Sequence, residues 1–250
     1  MKKQRATIVS SAEIAKETIA IVLKDEYISQ NAKPGQFVHI CIDGFTLRRP
    51  ISIAHIDEAT NTFTILFKVI GDGTGKLASY QAGQSLDLLG PNGSGFPLKD
   101  INKESSILLL GGGIGVPPIY FLAKKLNQLQ IPFQAILGFQ TKDYVFYEDE
   151  FKKLGATTIV TDDGTYGKKG FVTDYVEKQS LDRYYACGPL PMLRSVKRTL
   201  SEIEGYLSFE ERMACGIGAC YACVIPTKGA TSYKKICQDG PVLAAKEVDL

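Results

Sequence analysis

Two hundred and fifty residues, 44% of them hydrophobic, suffice for one large or two modest globular domains and exclude a disordered chain. Twenty-nine Lys and Arg against twenty-seven Asp and Glu leave a formal charge of +2 with no long run of one sign, which speaks against nucleic acid as a partner. The N-terminus, with Lys2, Lys3 and Arg5, lacks a secretory apolar stretch, and the most apolar segment (107–123) is broken by Gly111, Gly112, Gly113, Gly115, Pro117 and Pro118, so a cytoplasmic chain without a membrane span is expected.

From residue 6 to about 98 the chain offers short β-rich runs at 19–23, 37–42, 51–54, 63–70 and 85–89. Pro34-Gly35, Asp43-Gly44, Gly71-Asp72-Gly73 and Pro91-Asn92-Gly93 punctuate them, a pattern that predicts a small antiparallel barrel. Arg49-Pro50-Ile51-Ser52 is placed at the end of a barrel strand, where a fixed guanidinium suits a pyrophosphate; a surface arginine beside a turn is the competing reading. Leu66-Phe67-Lys68 ends another strand. Gly71-Asp72-Gly73-Thr74-Gly75 then offers backbone donors and the Thr74 hydroxyl to a phosphate, or forms an ordinary glycine-rich hairpin turn.

After residue 100 the rhythm changes to apolar strand, glycine turn and amphipathic helix. The strand 107–110 leads through Gly111-Gly112-Gly113-Ile114-Gly115 into a helix at 119–129, the context of a dinucleotide turn without the G-x-G-x-x-G fingerprint. Strands at 134–139, 158–161 and 184–186 alternate with helices at 148–154, 172–178 and 191–204, which predicts an α/β domain with a mainly parallel sheet. Cys187-Gly188-Pro189-Leu190-Pro191-Met192 falls at the C-terminal edge of that sheet, where Cys187 faces a nicotinamide or fills a strand end as a buried small side chain.

From about residue 206 the chain is rich in Cys and Gly and poor in regular patterns, so a bound ion is expected to organise it. Cys215, Cys220 and Cys223 form C-x4-C-x2-C and Cys237 follows after a hairpin-like stretch, the spacing of plant-type [2Fe-2S] sites. Thiolates stabilise ferric iron, and Gly216 and Gly218 allow a tight loop whose N–H groups point at sulfur. A structural zinc site is the alternative, although zinc ribbons show two C-x2-C pairs rather than a triplet and a solitary cysteine. Cys41, in an apolar run, reads as a packed core thiol.

Taken in order, Arg49-Pro50-Ile51-Ser52, Leu66-Phe67-Lys68, Gly73-Thr74, the glycine turn at 111–118 and Cys187–Met192 resemble the ferredoxin–NADP reductase superfamily. With Glu211-Arg212-Met213-Ala214-Cys215-Gly216-Ile217-Gly218-Ala219-Cys220 directly after, nearly the whole chain resembles the electron-transfer subunits of type B dihydroorotate dehydrogenases. That resemblance implies an α+β multidomain protein: a flavin-binding β-barrel (1–100), an NAD-binding α/β domain (101–205) and a small [2Fe-2S] domain (206–250). It implies FAD on the barrel segments and a partner subunit that carries FMN and oxidises dihydroorotate, assembled as a dimer of heterodimers. Electrons would pass from that partner through the cluster and FAD to NAD+ in pyrimidine (UMP) biosynthesis, with no catalytic side chain in this chain. A reductase subunit for ferredoxin, sulfide or an oxygenase is the alternative. Gln140, where relatives often carry an arginine, favours NAD over NADP.

Overall fold

The computed structural model describes residues 1–229 and 233–250. Its first half comprises β1 (Lys2–Ala15), β2 (Thr18–Lys24), α1 (Glu26–Asn31), β3 (Phe37–Ile40), β4 (Arg49–Asp57), β5 (Thr62–Lys68), α2 (Asp72–Ala78) and β6 (Ser85–Asn92). The strands close into an antiparallel barrel in the order β1-β2-β5-β4-β3-β6, as the turn pattern predicts. Period-two alternation fills its interior: Phe63, Ile65 and Phe67 of β5 meet Ile21 and Leu23 of β2 and Val38 and Ile40 of β3. β1 is not among the expected strands, because Ala6 and Ile8 are its two buried apolar residues and the alternation there is faint.

On β3 the opposite face carries Phe37 and His39, and Phe37 packs into a second core with Cys223, Cys237 and Met213. Cys41 lies beyond the end of β3 and is half-buried rather than a packed core thiol. Arg49 opens β4 rather than closing a strand, and the glycines at 71–75 lie in the cap and first turns of α2 rather than before it.

The second half contains β7 (Ile107–Gly112), α3 (Val116–Gln128), β8 (Phe133–Phe139), α4 (Glu148–Lys152), β9 (Ala156–Thr161), β10 (Lys168–Lys169), β11 (Arg183–Cys187), α5 (Leu190–Thr199) and β12 (Glu204–Ser208). Then come β13 (Val224–Pro226), β14 (Tyr233–Lys235) and β15 (Val242–Ala244). The sheet order is β10-β9-β8-β7-β11-β12-β15, parallel except where β15 joins β12 antiparallel. Fully buried strands such as Ile107–Gly112 are apolar throughout, as a sheet covered on both faces requires. The helix expected at 172–178 is a single 3-10 turn, Val172–Tyr175, held by the Asp174 carboxylate accepting from Phe171 N at 2.8 Å; β-branched Val172, Thr173 and Val176 give it little helical drive. The last long helix stops at Thr199, because Glu204 already begins β12.

A boundary at 205/206 therefore cuts through β12, which pairs with β11 residue by residue, Tyr185 opposite Tyr206. The C-terminal segment also clasps the barrel: Ser94 N donates to Gly240 O at 2.6 Å, and Ser94 Oγ donates to Val242 O at 3.2 Å. No helix among the described residues is long and apolar enough to cross a membrane.

Candidate cofactor-binding site

A cavity of about 750 Å3 opens where barrel, nucleotide sheet and C-terminal segment meet. One wall is β4 from Arg49 to Ser52, a second is Leu66, Phe67 and Lys68 at the end of β5, and a third is Phe209 to Met213. Thr74 and Ile114 complete it, so residues from every predicted flavin segment and one from the glycine turn converge on a single volume. Its size and its mixture of apolar walls with a few charged groups match a flavin-sized ligand.

Arg49 is aimed by its neighbours. Its guanidinium stacks on Phe45 with 5.1 Å to the ring centroid, donates to the Leu47 carbonyl, and fills the space beside the Gly73 Cα that a side chain would need. This is the reason for glycine at 73, and it leaves a cation beside the first turn of α2, a fitting pair for a phosphate. Thr74 is already employed: its Oγ1 donates to Gly71 O at 3.0 Å and accepts from Ile70 N at 3.0 Å. Lys68 reaches across to the nucleotide half, 4.1 Å from the Tyr144 ring centroid and 3.6 Å from Glu17.

At the glycine turn the backbone is packed against the predicted partner segment. A Cβ on Gly115 would strike the Cys187 carbonyl, one on Gly112 would strike Met192 Sδ, and one on Gly111 would press on Val116. These three glycines serve close approach within the sheet's C-terminal edge. Gly113, at φ +51°, has open space where a Cβ would stand, and its need for glycine is conformational. Pro117 and Pro118 begin α3 and carry no N–H, so that helix start offers fewer phosphate donors than usual. The Cys187 side chain is fully buried in the core, and burial, with Glu210 nearby, pushes its thiol well above its ordinary range. A Cβ on Gly188 would strike Met192 Sδ, and Pro189 caps α5.

The four remaining cysteines converge. Cys223 and Cys237 are buried and Cys215 and Cys220 half-buried. Cys215 interacts with Cys220 and Cys237 with Cys223, and Cys215 also acts on Cys237, so the four thiols form one group. Backbone N–H groups point at the sulfurs: Gly218 N to Cys237 at 3.2 Å, and Cys220 N and Ile217 N to Cys215 at 3.4 and 3.5 Å. Burial raises the Cys215 thiol, but the N–H groups of Ile217 and Cys220 outweigh it and bring the pKa down to about 6. Burial beside Cys223 pushes Cys237 up to about 12, so a cation is needed to hold that thiolate. Among the described residues no three His, Cys, Asp or Glu groups are set to enclose one ion. Four cysteines at this spacing fit a [2Fe-2S] cluster. Positive φ at Gly216 (+68°) and Gly218 (+82°) makes the loop possible, and a Cβ on Gly218 would strike Gln238. The predicted hairpin between Cys223 and Cys237 is β13 paired with β14, with residues 230–232 lying outside the described residues.

One buried histidine was not foreseen. His39 is fully buried, and its ring lies on Gly216 of the cysteine loop. Burial, offset in part by the Arg48 carbonyl facing the ring and reinforced by the charges of Arg48 and Arg49, lowers its pKa to about 4, so it is neutral. A polar residue at an alternating strand position between two apolar ones was the available signal.

Two acids, Asp162 and Asp163, follow strand β9. Asp162 N donates to Phe139 O at 3.0 Å, and Thr141 Oγ1 meets Thr165 Oγ1 at 2.9 Å, which puts both acids beside Gln140 at the sheet's C-terminal edge. Burial next to Asp163 raises the Asp162 carboxyl.

Known proteins agree with this anatomy. Residues 210–249 match the iron–sulfur cluster binding domain of dihydroorotate dehydrogenase B, and residues 109–198 match the oxidoreductase NAD-binding domain. The chain is 47% identical to a Fusobacterium nucleatum protein and 48% identical to one of Bacillus mycoides, each named dihydroorotate dehydrogenase B (NAD(+)), electron transfer subunit, with 100% of both chains covered. Among solved structures, the NADH-dependent reduced ferredoxin-NADP oxidoreductase superposes with a TM-score of 0.88 at 30% identity, over 98% of this chain and 89% of that one. An Amycolatopsis cytochrome P450 reductase shares the fold at a TM-score of 0.69 and 19% identity, over 80% of this chain and 66% of that one.

Proposed function

The chain belongs to the family of dihydroorotate dehydrogenase B (NAD(+)) electron transfer subunits, and from that premise we propose that it carries electrons from dihydroorotate oxidation in a catalytic partner subunit, through a [2Fe-2S] cluster and FAD, to NAD+ in UMP biosynthesis. One observation carries the reading: Glu211, Arg212 and Met213 wall the flavin-sized cavity, and the same segment runs on into Cys215. Bound at these places, FAD supplies both hydride exchange with a nicotinamide and single-electron exchange with an iron–sulfur cluster, which no side chain does.

The side chains hold and orient. Arg49 neutralises the pyrophosphate, while Pro50, Ile51, Ser52, Leu66, Phe67 and Lys68 line the ring, and Gly73 and Thr74 shape the phosphate end. Gly112 and Gly115 let the turn close on Cys187, Gly188 and Met192, with Pro189 at the rim and Gly111 against Val116; Gly113 faces the nucleotide and Ile114 the flavin-sized cavity. Cys215, Cys220, Cys223 and Cys237 would hold the cluster, which would carry single electrons. No residue here acts as a general base.

The partner carries FMN and the assembly is a dimer of heterodimers in the cytoplasm. Exposed Ile217, Tyr221, Val224 and Tyr233 surround the cysteine loop, an apolar rim suited to docking beside the cluster. Mixing the anaerobic protein with a dihydroorotate-oxidising subunit should yield dihydroorotate-dependent NAD+ reduction. Reduction of ferredoxin by NADH, with no coupling to dihydroorotate, would establish the ferredoxin reading instead. A colourless protein containing zinc would overturn both.

A further inference from the structure

His39 is polar at a position where the packing calls for an apolar side chain. It points out of the barrel on the same face as Phe37, is fully buried, and neither Nδ1 nor Nε2 makes a hydrogen bond of good geometry among the described residues, although the Arg48 backbone carbonyl faces the ring. A buried donor left unmet is costly, and folded proteins retain very few. The surroundings show on which side the missing partner lies. His39 does not line the flavin-sized cavity. Its Nδ1–Cε1 edge rests instead on Gly216, in the space a Cβ would fill, and Gly216 follows Cys215 directly. From behind, Arg48 Nη1 donates to the His39 carbonyl at 3.2 Å, and Arg48 Nη2 is anchored on Asp87 at 2.5 Å, so the strand carrying the imidazole is held in place.

We infer that His39 is a positioning residue for the iron–sulfur cluster: its imidazole N–H donates to sulfur in the loop Cys215–Cys220, seats that loop on the barrel and raises the cluster's reduction potential. The inference rests on the reading that the cysteines hold a [2Fe-2S] cluster. Reduction adds negative charge that spreads onto the sulfurs, and a donor aimed at them stabilises the reduced state more than the oxidised one. Because β3 pairs His39 with Pro50 of the flavin strand, the same residue ties cluster position to flavin position.

His39 and His55 are the two histidines of the chain, so 15N-labelled histidine gives a readable probe in the full complex. Pulsed EPR of the dithionite-reduced complex should show a 15N coupling to the cluster that persists in His55→Gln; a cluster signal with no such coupling overturns the inference. In His39→Leu the reduction equilibrium should shift by about tenfold toward the oxidised form, about 59 mV for one electron. His39→Gln, which keeps a donor, should recover part of that shift. A wild-type potential in His39→Leu overturns the inference, and if that variant loses its iron the labelled wild type decides alone. Complete lack of an iron–sulfur signal in the wild type would instead defeat the cluster reading itself.

Discussion

No methyl group fits between Gly73 and Arg49: the guanidinium occupies the space where a Cβ on residue 73 would stand. Gly73→Ala must therefore push Arg49 away from the cavity. FAD affinity should fall by tenfold or more, the worth of a charge-assisted hydrogen bond of about 1.5–3 kcal/mol. Flavin fluorescence titration of the apoprotein measures this, and unchanged affinity would show that Arg49 does not touch the cofactor.

Cys220→Ser removes one sulfur from the group of four while leaving the cavity walls intact. NADH oxidation by an artificial acceptor such as ferricyanide should survive, and dihydroorotate-dependent NAD+ reduction should be lost. Loss of FAD in the same variant would mean that the cluster is structural for the flavin half.

Asp162 lies next to Gln140 at the sheet's C-terminal edge, where a nucleotide's ribose is expected. A 2′-phosphate would meet a carboxylate and find no guanidinium, so Gln140→Arg combined with Asp162→Asn should improve kcat/KM for NADPH by roughly tenfold or more relative to NADH. Steady-state kinetics with both nucleotides test it; an unaltered ratio would place the 2′ position elsewhere.

His55 reports on acid stability. Burial, with Lys124 Nζ 3.1 Å from Nε2, depresses its pKa from 6.5 to about 4. Between those values the unfolded chain binds a proton that the folded chain refuses, so stability is full above about pH 6.5 and declines as the pH falls toward 4. The slope is at most about 1.36 kcal/mol per pH unit and less for a half-buried group. Urea denaturation at pH 7, 6 and 5 should show the decline, and His55→Gln should flatten it by up to one proton.

The barrel strands at 62–68 and 18–24 were legible because apolar residues alternate there, whereas β1 was not, its outward face being polar and its inward face carrying only Ala6 and Ile8 in the core. The cysteine spacing announced the cluster, since a tight loop with Gly216 and Gly218 leaves a mark in the sequence itself. The glycine turn announced its place but not its reason: Gly112 and Gly115 answer to Met192 and Cys187, residues more than seventy positions away that only the parallel sheet brings near. Cys187 illustrates the same limit, because nothing local distinguishes a sulfur facing a cleft from one sealed in a core. His39 was invisible for that reason too, its significance residing entirely in what the distant Gly216 leaves uncovered.

The clasp between Ser94 and the stretch Gly240 to Val242 fixes the last sulfur of the set to the barrel. Cys237 lies only three residues before it, so a change that loosens this seam displaces a thiolate as well as the contact between the C-terminal segment and the barrel.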